Sequence, residues 1–394
     1  MRIISVVGAR PNFMKIAPFI KAINAYNTDH DQKIEHILVH TGQHYDDRMS
    51  RAFFEQLGIP EADINLGVGS GSHAEQVGHT MIAFEKVLRE KKPDWVVVVG
   101  DVNAILACSV TAKKEHILCC HIEAGLRSGD MSMPEEINRL VADRISDLLL
   151  TPDRISSENL KKEGVPDNKI KFTGNIMIDT LESNRDKAEN LLIEDIIKNN
   201  SVEGSQKYSA KTPGKEFAVV TLHRPSNVDI KDVLEPIVRF MIDEVCPAMP
   251  LIWTIHPRTR KMLETFGLLN EVLLQKNLML LEPLGYLEML KLNMHARIIL
   301  TDSGGLQEEC TVLGTPCLTL RWNTERPITL REHGGASVLV GNNIKLIREE
   351  YHVAMNKLRN PVSPELWDGH TAERCLKAIL DFKETPGFNK KDSN

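Results

Sequence analysis

The segment His121-Ile-Glu123-Ala-Gly-Leu-Arg127-Ser-Gly-Asp130-Met-Ser-Met-Pro134-Glu135-Glu136-Ile-Asn138-Arg139 sets carboxylates beside arginines at the end of an apolar run. Carboxylates move protons and arginines hold anions, so the cluster suits proton transfer next to an anion. A charged loop is also a solvated face, and Pro-Glu-Glu is by itself a favourable helix start. The setting favours chemistry. Ile117-Leu-Cys-Cys-His-Ile122 reads as a buried parallel strand, and Glu123 then stands at its carboxyl end, where open α/β sheets bind ligands.

Other segments fall in equivalent places. Gly8-Ala-Arg10-Pro-Asn-Phe-Met-Lys15 follows the first strand and opens a helix, which places Arg10 and Lys15 where anions are favoured. The Gly-x-Gly-x-x-Gly spacing of a dinucleotide site is missing there and in Gly67-Val-Gly69-Ser-Gly71, which reads as a loop, so NAD is not expected. Gly100-Asp101 ends the strand Trp95 to Val99, and Asp101 is either a helix N-cap or a partner for Glu123. Asp302-Ser303-Gly304-Gly305-Leu-Gln-Glu308-Glu309 reads as strand end, glycine turn and helix start, a site for phosphate at backbone amides. Capping by Ser303 alone would not require two glycines. His223 and His256 each end a strand, while His40 and His44 flank Gly42, which breaks the helical geometry a metal pair at that spacing would need.

These residues need a frame. Short apolar runs alternate with helical patterns in two series, a sign of βαβ units and parallel sheets. The first comprises Ile3 to Val7, Glu35 to His40, Trp95 to Val99, Ile117 to Ile122, Leu148 to Thr151 and Ile170 to Thr173. The second comprises Phe217 to Leu222, Leu251 to Ile255, Leu278 to Leu281, Ile298 to Thr301, Cys317 to Leu320 and Ser337 to Val340. Val77, Met81, Phe84 and Leu88 predict a helix over His73 to Lys91. The polar stretch from Asn199 to Gly214 reads as a loop near the boundary of two doubly wound domains.

At 394 residues, with 42% hydrophobic and 26% charged, the chain has room for about two domains. A net charge of -6 leaves no basic footprint for nucleic acid. Neither a signal peptide nor a membrane span is expected, which points to the cytoplasm. Seven cysteines, several in apolar runs and without a Cys-x-x-Cys pair, read as buried reduced thiols.

Taken in order, Gly8-Ala-Arg10-Pro11 with Lys15, Thr41-Gly-Gln43-His44, Gly100-Asp101, His121-Ile-Glu123-Ala-Gly-Leu-Arg127, Pro134-Glu135-Glu136-x-Asn138-Arg139, Leu222-His223-Arg224, Asp302-Ser-Gly-Gly305 with Gln307-Glu308-Glu309, and Glu325-Arg326-Pro327 resemble the non-hydrolysing UDP-N-acetylglucosamine 2-epimerases. The likeness runs from residue 1 to about 380. It implies a GT-B-like α/β fold: two Rossmann-like doubly wound parallel-sheet domains with a cleft between them. Residues 1–174 would form the first, joined by a last helix, roughly Trp367 to Phe382, within 366–383. Residues 175–365 would form the nucleotide-binding domain, and 384–394 a polar tail. The resemblance further implies a cytoplasmic homodimer that needs no NAD or metal and makes UDP-N-acetylmannosamine for surface polysaccharides.

Its chemistry is elimination of UDP to a 2-acetamidoglucal, then re-addition with a proton on the other face. By resemblance Asp101, Glu123 and Glu135 are the acid/base set, with His223, Arg10 and Lys15 near the leaving group. Ser303, Gly304 and Gly305 would hold phosphate, Glu309 ribose, with Arg326 nearby, and Leu284 (through its backbone) and Met289 the uracil. Met289 replaces an aromatic residue of some relatives, and Val-Asn-Ala-Ile follows Asp101 where many carry Thr/Ser. Gln43 and His44 match residues that bind a second, activating UDP-sugar, although 67–72 lacks the arginine used by some members. Rival readings are a 2-epimerase for a modified UDP-sugar (a diacetamido-uronic acid or fucosamine precursor), a hydrolysing 2-epimerase, a GT-B glycosyltransferase and a non-catalytic nucleotide-sugar sensor.

Overall fold

The computed structural model describes residues 1–42, 58, 61–205 and 216–383, the side chain of Arg10 excepted. Gln43, His44 and 384–394 lie outside the described residues. Seven strands form the first sheet: β1 Arg2–Val7, β2 Glu35–His40, β3 Ile64–Asn65, β4 Trp95–Val99, β5 Leu118–Ile122, β6 Leu148–Thr151 and β7 Ile170–Phe172. Their order is β3-β2-β1-β4-β5-β6-β7. The second sheet holds β8 Ala218–Thr221, β9 Leu251–Thr254, β10 Leu278–Leu281, β11 Ile298–Thr301, β12 Cys317–Thr319 and β13 Ser337–Leu339, in the order β10-β9-β8-β11-β12-β13. Every strand pairing in both sheets is parallel. This is the two-sheet, GT-B-like α/β architecture that the alternating runs and the resemblance imply.

The strands are apolar throughout because helices cover both faces. In β4, Val96 and Val98 pack with Ile4, Phe84 and Ile105 on one side, whereas Val97 and Val99 pack with Ile3, Phe13 and Leu38 on the other. Each sheet reverses its order once, between β1 and β4 and between β8 and β11. The crevice at such a reversal is where doubly wound sheets bind ligands. The turns after β1, β4, β8 and β11 therefore line the cleft.

The helix Ile176–Glu189 ties the halves together. Ile176, Ile178, Leu181 and Ala188 share one buried cluster with Ile3 and Phe13 of the first half and with Tyr286, Leu290 and Leu313 of the second. The last helix, Thr371–Leu380, returns to that cluster through Ala372, Cys375, Leu376 and Ile379. It begins at Thr371 rather than Trp367 because Leu366 and Gly369 take left-handed backbone, at φ 62 and 81. Asp179 then receives the Thr371 and Ala372 amides at 3.0 and 2.7 Å, acting as a cap supplied from another helix.

The helix His73–Lys91 has the expected bounds, closed by a capping box between Ser72 and Glu75. The polar stretch expected from Asn199 starts later as a loop, since the helix Ile193–Asn200 runs into it, and 206–215 fall outside the described residues. All seven cysteines are free and buried. Among the described residues no helix is long and apolar enough to cross a membrane.

Candidate active site

Glu123 follows β5 with a left-handed backbone, φ 73, which turns its side chain from the sheet into the cleft. Only 5% of the residue is exposed. One carboxylate oxygen meets Lys15 Nζ, and the other accepts from Arg326 Nη2 at 3.0 Å. Burial alone would raise this carboxyl, but Lys15 and Arg326 reverse the effect and hold it below the usual carboxylate range. Lys15 comes from the first half and Arg326 from the second, so Glu123 sits where they meet.

Arg326 binds two further buried acids, Glu308 at 2.8 Å through Nε and Glu325 through Nη1. Burial, with the Glu123 charge adding to it, raises the Glu308 carboxyl against the pull of Arg326. Glu325 also pairs with Arg321 at 2.6 Å, and these cations overcome its burial to hold it below the usual range. Glu308 and Glu325 stood in the motifs without a role, and only the three-dimensional approach of Arg326 gives them one.

Asp101 does not cap a helix. The next helix, Asn103–Lys114, has Val102 at its cap, and Asp101 instead accepts from Arg139 Nη1 at 2.6 Å. Arg139, 1% exposed, also grips Glu136, whose carboxylate receives the Ser128 and Gly129 amides at 3.1 and 2.9 Å. Arg127 is likewise engaged, with Asp143 and Glu163 at 2.7 Å each. These two arginines are turned to the protein's own carboxylates. Arg139 and Glu136 thus link Asp101 to the Ser128–Gly129 backbone, a connection that spacing alone does not show.

Gly100 shows how tightly the site is drawn together. At φ 81, a Cβ there would lie 3.0 Å from Asn12 Nδ2 and 3.2 Å from Lys15 Nζ. Asn12 in turn donates to the Val99 carbonyl at 2.7 Å and receives the Gly8 and Ala9 amides, which joins the β1 turn to the β4 turn.

In the second half Asp302 is fully buried and receives the His223 and Arg224 amides and Asn227 Nδ2. Its carboxylate meets His223 Nδ1 at 2.7 Å, and that pairing outweighs burial to keep Asp302 below the carboxylate range. The His223 ring is 41% exposed, so it reaches the cleft. Glu135, half-buried, lies close enough to Arg224 to act on its charge from across the cleft.

Ser303 precedes the helix Gly304–Leu313 but its hydroxyl caps nothing. Gly304 faces Arg326 and Glu325, where a Cβ would come within 2.8 Å of each, whereas Gly305 faces open space. Glu309 is buried one turn further, with Asn293 Nδ2 at 3.4 Å, and burial pushes its carboxyl up to about 7. Leu284 and Met289 pack with Ile252, Met279 and Leu281 in an apolar cluster of the second half. The structure thus joins Lys15, Glu123 and Arg326 directly and brings Asp101 close enough to act on Arg326, while Glu135 stands near Arg224 and His223 pairs with Asp302. Glu309, next to the Arg326 partner Glu308, turns to Asn293; Leu284 and Met289 lie in the apolar cluster, and the Arg10 side chain, Gln43 and His44 fall outside the described residues.

Comparison with known proteins bears on this arrangement. The family model described as UDP-N-acetylglucosamine 2-epimerase matches residues 27–380. A UDP-N-acetylglucosamine 2-epimerase from Methanocaldococcus jannaschii is 42% identical over 381 residues, covering 96% of this chain and 99% of the relative. A crystal structure of the M. jannaschii enzyme in complex with UDP-GlcNAc and UDP superposes with a TM-score of 0.84 at 40% identity, covering 96% of this chain and 99% of that one. A UDP-2,3-diacetamido-2,3-dideoxy-D-glucuronate 2-epimerase from Pseudomonas aeruginosa is 37% identical over 362 residues, covering 91% and 93%. With two doubly wound parallel sheets, acids at the carboxyl ends of their strands and a family match across most of its length, the chain belongs to the UDP-N-acetylglucosamine 2-epimerase family.

Proposed function

We propose that the protein interconverts UDP-N-acetylglucosamine and UDP-N-acetylmannosamine by inversion at C2. The observation that carries the reading is Glu123, a buried carboxylate held between Lys15 and Arg326 where the two halves meet. The C2 proton has no adjacent carbonyl to acidify it, so a base must act while a leaving group departs. A carboxylate takes the C2 proton, the C–H pair becomes the C1=C2 bond of a 2-acetamidoglucal, and the C1–O pair leaves with UDP. Re-addition reverses each step, with the proton delivered to the other face. No electrons are gained or lost overall, so the reaction balances without NAD.

Two faces need two acid/base groups, and Asp101, Glu123 and Glu135 are the set we assign to them. His223, Arg10, Lys15 and Arg326 would steady the departing diphosphate with Ser303, Gly304 and Gly305, and Glu309 the ribose, with Leu284 and Met289 at the base. A placed base contributes ~10²- to 10⁴-fold and charge stabilisation of the leaving group a comparable factor. We further propose a cytoplasmic homodimer serving surface polysaccharide synthesis, with 1–174 plus 366–383 as one domain and 175–365 as the other, and Gln43 and His44 as contacts for a second, activating UDP-sugar.

Incubation with UDP-N-acetylglucosamine in D₂O, followed by NMR at C2, tests the reaction. Deuterium at C2 of both recovered UDP-sugars is the expected result. Free N-acetylmannosamine would indicate hydrolysis instead, and unchanged substrate would reject this substrate. The diacetamido-uronate relative favours a second reading, a modified UDP-sugar as substrate. A panel of such sugars in the same assay separates the two.

A further inference from the structure

The helix Pro134–Ile145 turns charged residues inward. Glu136, Arg139 and Asp143, spaced at helical intervals, are buried, while Ile137 is exposed. Glu136 and Arg139 reach the Ser128 loop and Asp101, and Asp143 remains without a part in the reaction proposed above.

Asp143 touches both turns that carry the central carboxylates. Its Oδ1 meets His121 Nδ1 at 2.6 Å, and the far nitrogen of that ring, Nε2, lies 2.8 Å from the Gly100 carbonyl. The carbonyl and the ionised Asp143 carboxylate both only accept, so each ring nitrogen carries a proton and donates. Gly100 immediately precedes Asp101 in the chain. The other oxygen, Oδ2, receives the Gly125 amide at 3.0 Å, two residues beyond Glu123. Arg127 clamps that oxygen at 2.7 Å and is itself anchored by Glu163. The Glu123 bend is further pinned because the Glu123 and Ala124 amides both donate to the Leu150 carbonyl at 3.0 Å. Neither His121 nor Asp143 reaches solvent.

We infer that Asp143, acting through His121 on one turn and the Gly125 amide on the other, is a positioning residue that fixes the separation of the Asp101 and Glu123 carboxylates. Both turns have left-handed backbone, at Gly100 and at Glu123, and such conformations persist where surrounding contacts over-determine them. Loosening the pair leaves the nucleotide site in the second half intact. The defect therefore falls on the proton-transfer step and not on UDP binding.

The test rests on the epimerase reading, and wild-type deuterium exchange in the same assay checks that reading separately. Asp143→Asn should lower kcat about 100-fold while KM and the Kd for UDP stay within about threefold, because misplacing reacting groups slows chemistry more than binding. The histidine pair gives an independent arm. A Gln amide nitrogen falls near the Nε2 position and an Asn amide nitrogen near Nδ1, so His121→Gln keeps the contact to Gly100 but loses Asp143, and His121→Asn keeps Asp143 but loses Gly100. Each breaks the chain from Asp143 to the Gly100 turn, so both should lose about 100-fold in kcat while still binding UDP. Near-normal kcat in either folded histidine variant would overturn the inference. So would a proportional loss of kcat and of folded, UDP-binding protein, which marks a merely structural role. If Asp143→Asn does not fold, the histidine comparison decides.

Discussion

Glu123 and Arg326 form a 3.0 Å ion pair across the two halves of the chain, with both side chains almost wholly withdrawn from water. A buried pair is strongly unfavourable to break from one side, because the remaining charge has no hydration to fall back on. Glu123→Gln should therefore lower stability by roughly 3 kcal/mol. The same change should reduce C2 deuterium exchange by ~10²- to 10⁴-fold and leave UDP binding near that of the parent protein. Denaturant unfolding, NMR exchange and calorimetric UDP titration measure the three effects, and near-normal exchange would remove Glu123 from the acid/base set.

Gly100→Ala probes crowding at the same centre. The new methyl would press on Asn12 and Lys15 from a backbone with φ 81, so both strain and contact oppose it. A loss of about 1–3 kcal/mol is expected, together with reduced exchange as Lys15 shifts off Glu123. Unchanged unfolding midpoint and activity would mean that the turn gives way freely.

Glu309 supplies a pH test with a definite sign. Burial lifts its carboxyl from the ordinary 4.5 to about 7, so between those values the folded chain keeps a proton that the unfolded chain has released. Stability from this group accordingly falls as pH rises through that window and levels off above it. Replacing it by Gln removes the dependence. The difference in Tm between Glu309→Gln and the parent should become more favourable to the variant on moving from pH 5 to pH 8, and a constant difference would refute the assignment.

Asp179 anchors the returning helix by receiving the Thr371 and Ala372 amides. Asp179→Ala removes that cap and should cost about 1–2 kcal/mol in denaturant unfolding. Asp179→Asn, which keeps an acceptor oxygen, should recover part of the loss. If Ala and Asn behave alike, the contact contributes little.

The strands were legible in the chain because burial on both faces writes them as unbroken apolar runs, as in Trp95 to Val99. The two-residue β3, Ile64–Asn65, carries no such run and was not expected. Helix boundaries set by backbone conformation were also hidden, as Leu366 shows before the last helix. Among site residues, Asp101 and Glu123 were visible from their position after strands. The partners of the arginines were not, since nothing in the spacing tells that Arg127 and Arg139 turn toward Asp143, Glu163, Asp101 and Glu136. Long-range pairings such as Glu308 with Arg326 depend on how the two halves meet, and local pattern holds no record of that.

Each of the three nitrogens of Arg326 is already engaged by a carboxylate of the protein itself, from Glu123, Glu308 and Glu325. Of its five N–H groups, one on Nη1 and one on Nη2 are left for a phosphate oxygen, which would then share its nitrogen with Glu325 or Glu123. Anion capture at Arg326 is thus a competition, in which charge arriving on the leaving group loosens the arginine's hold on Glu123, the base that the reaction needs.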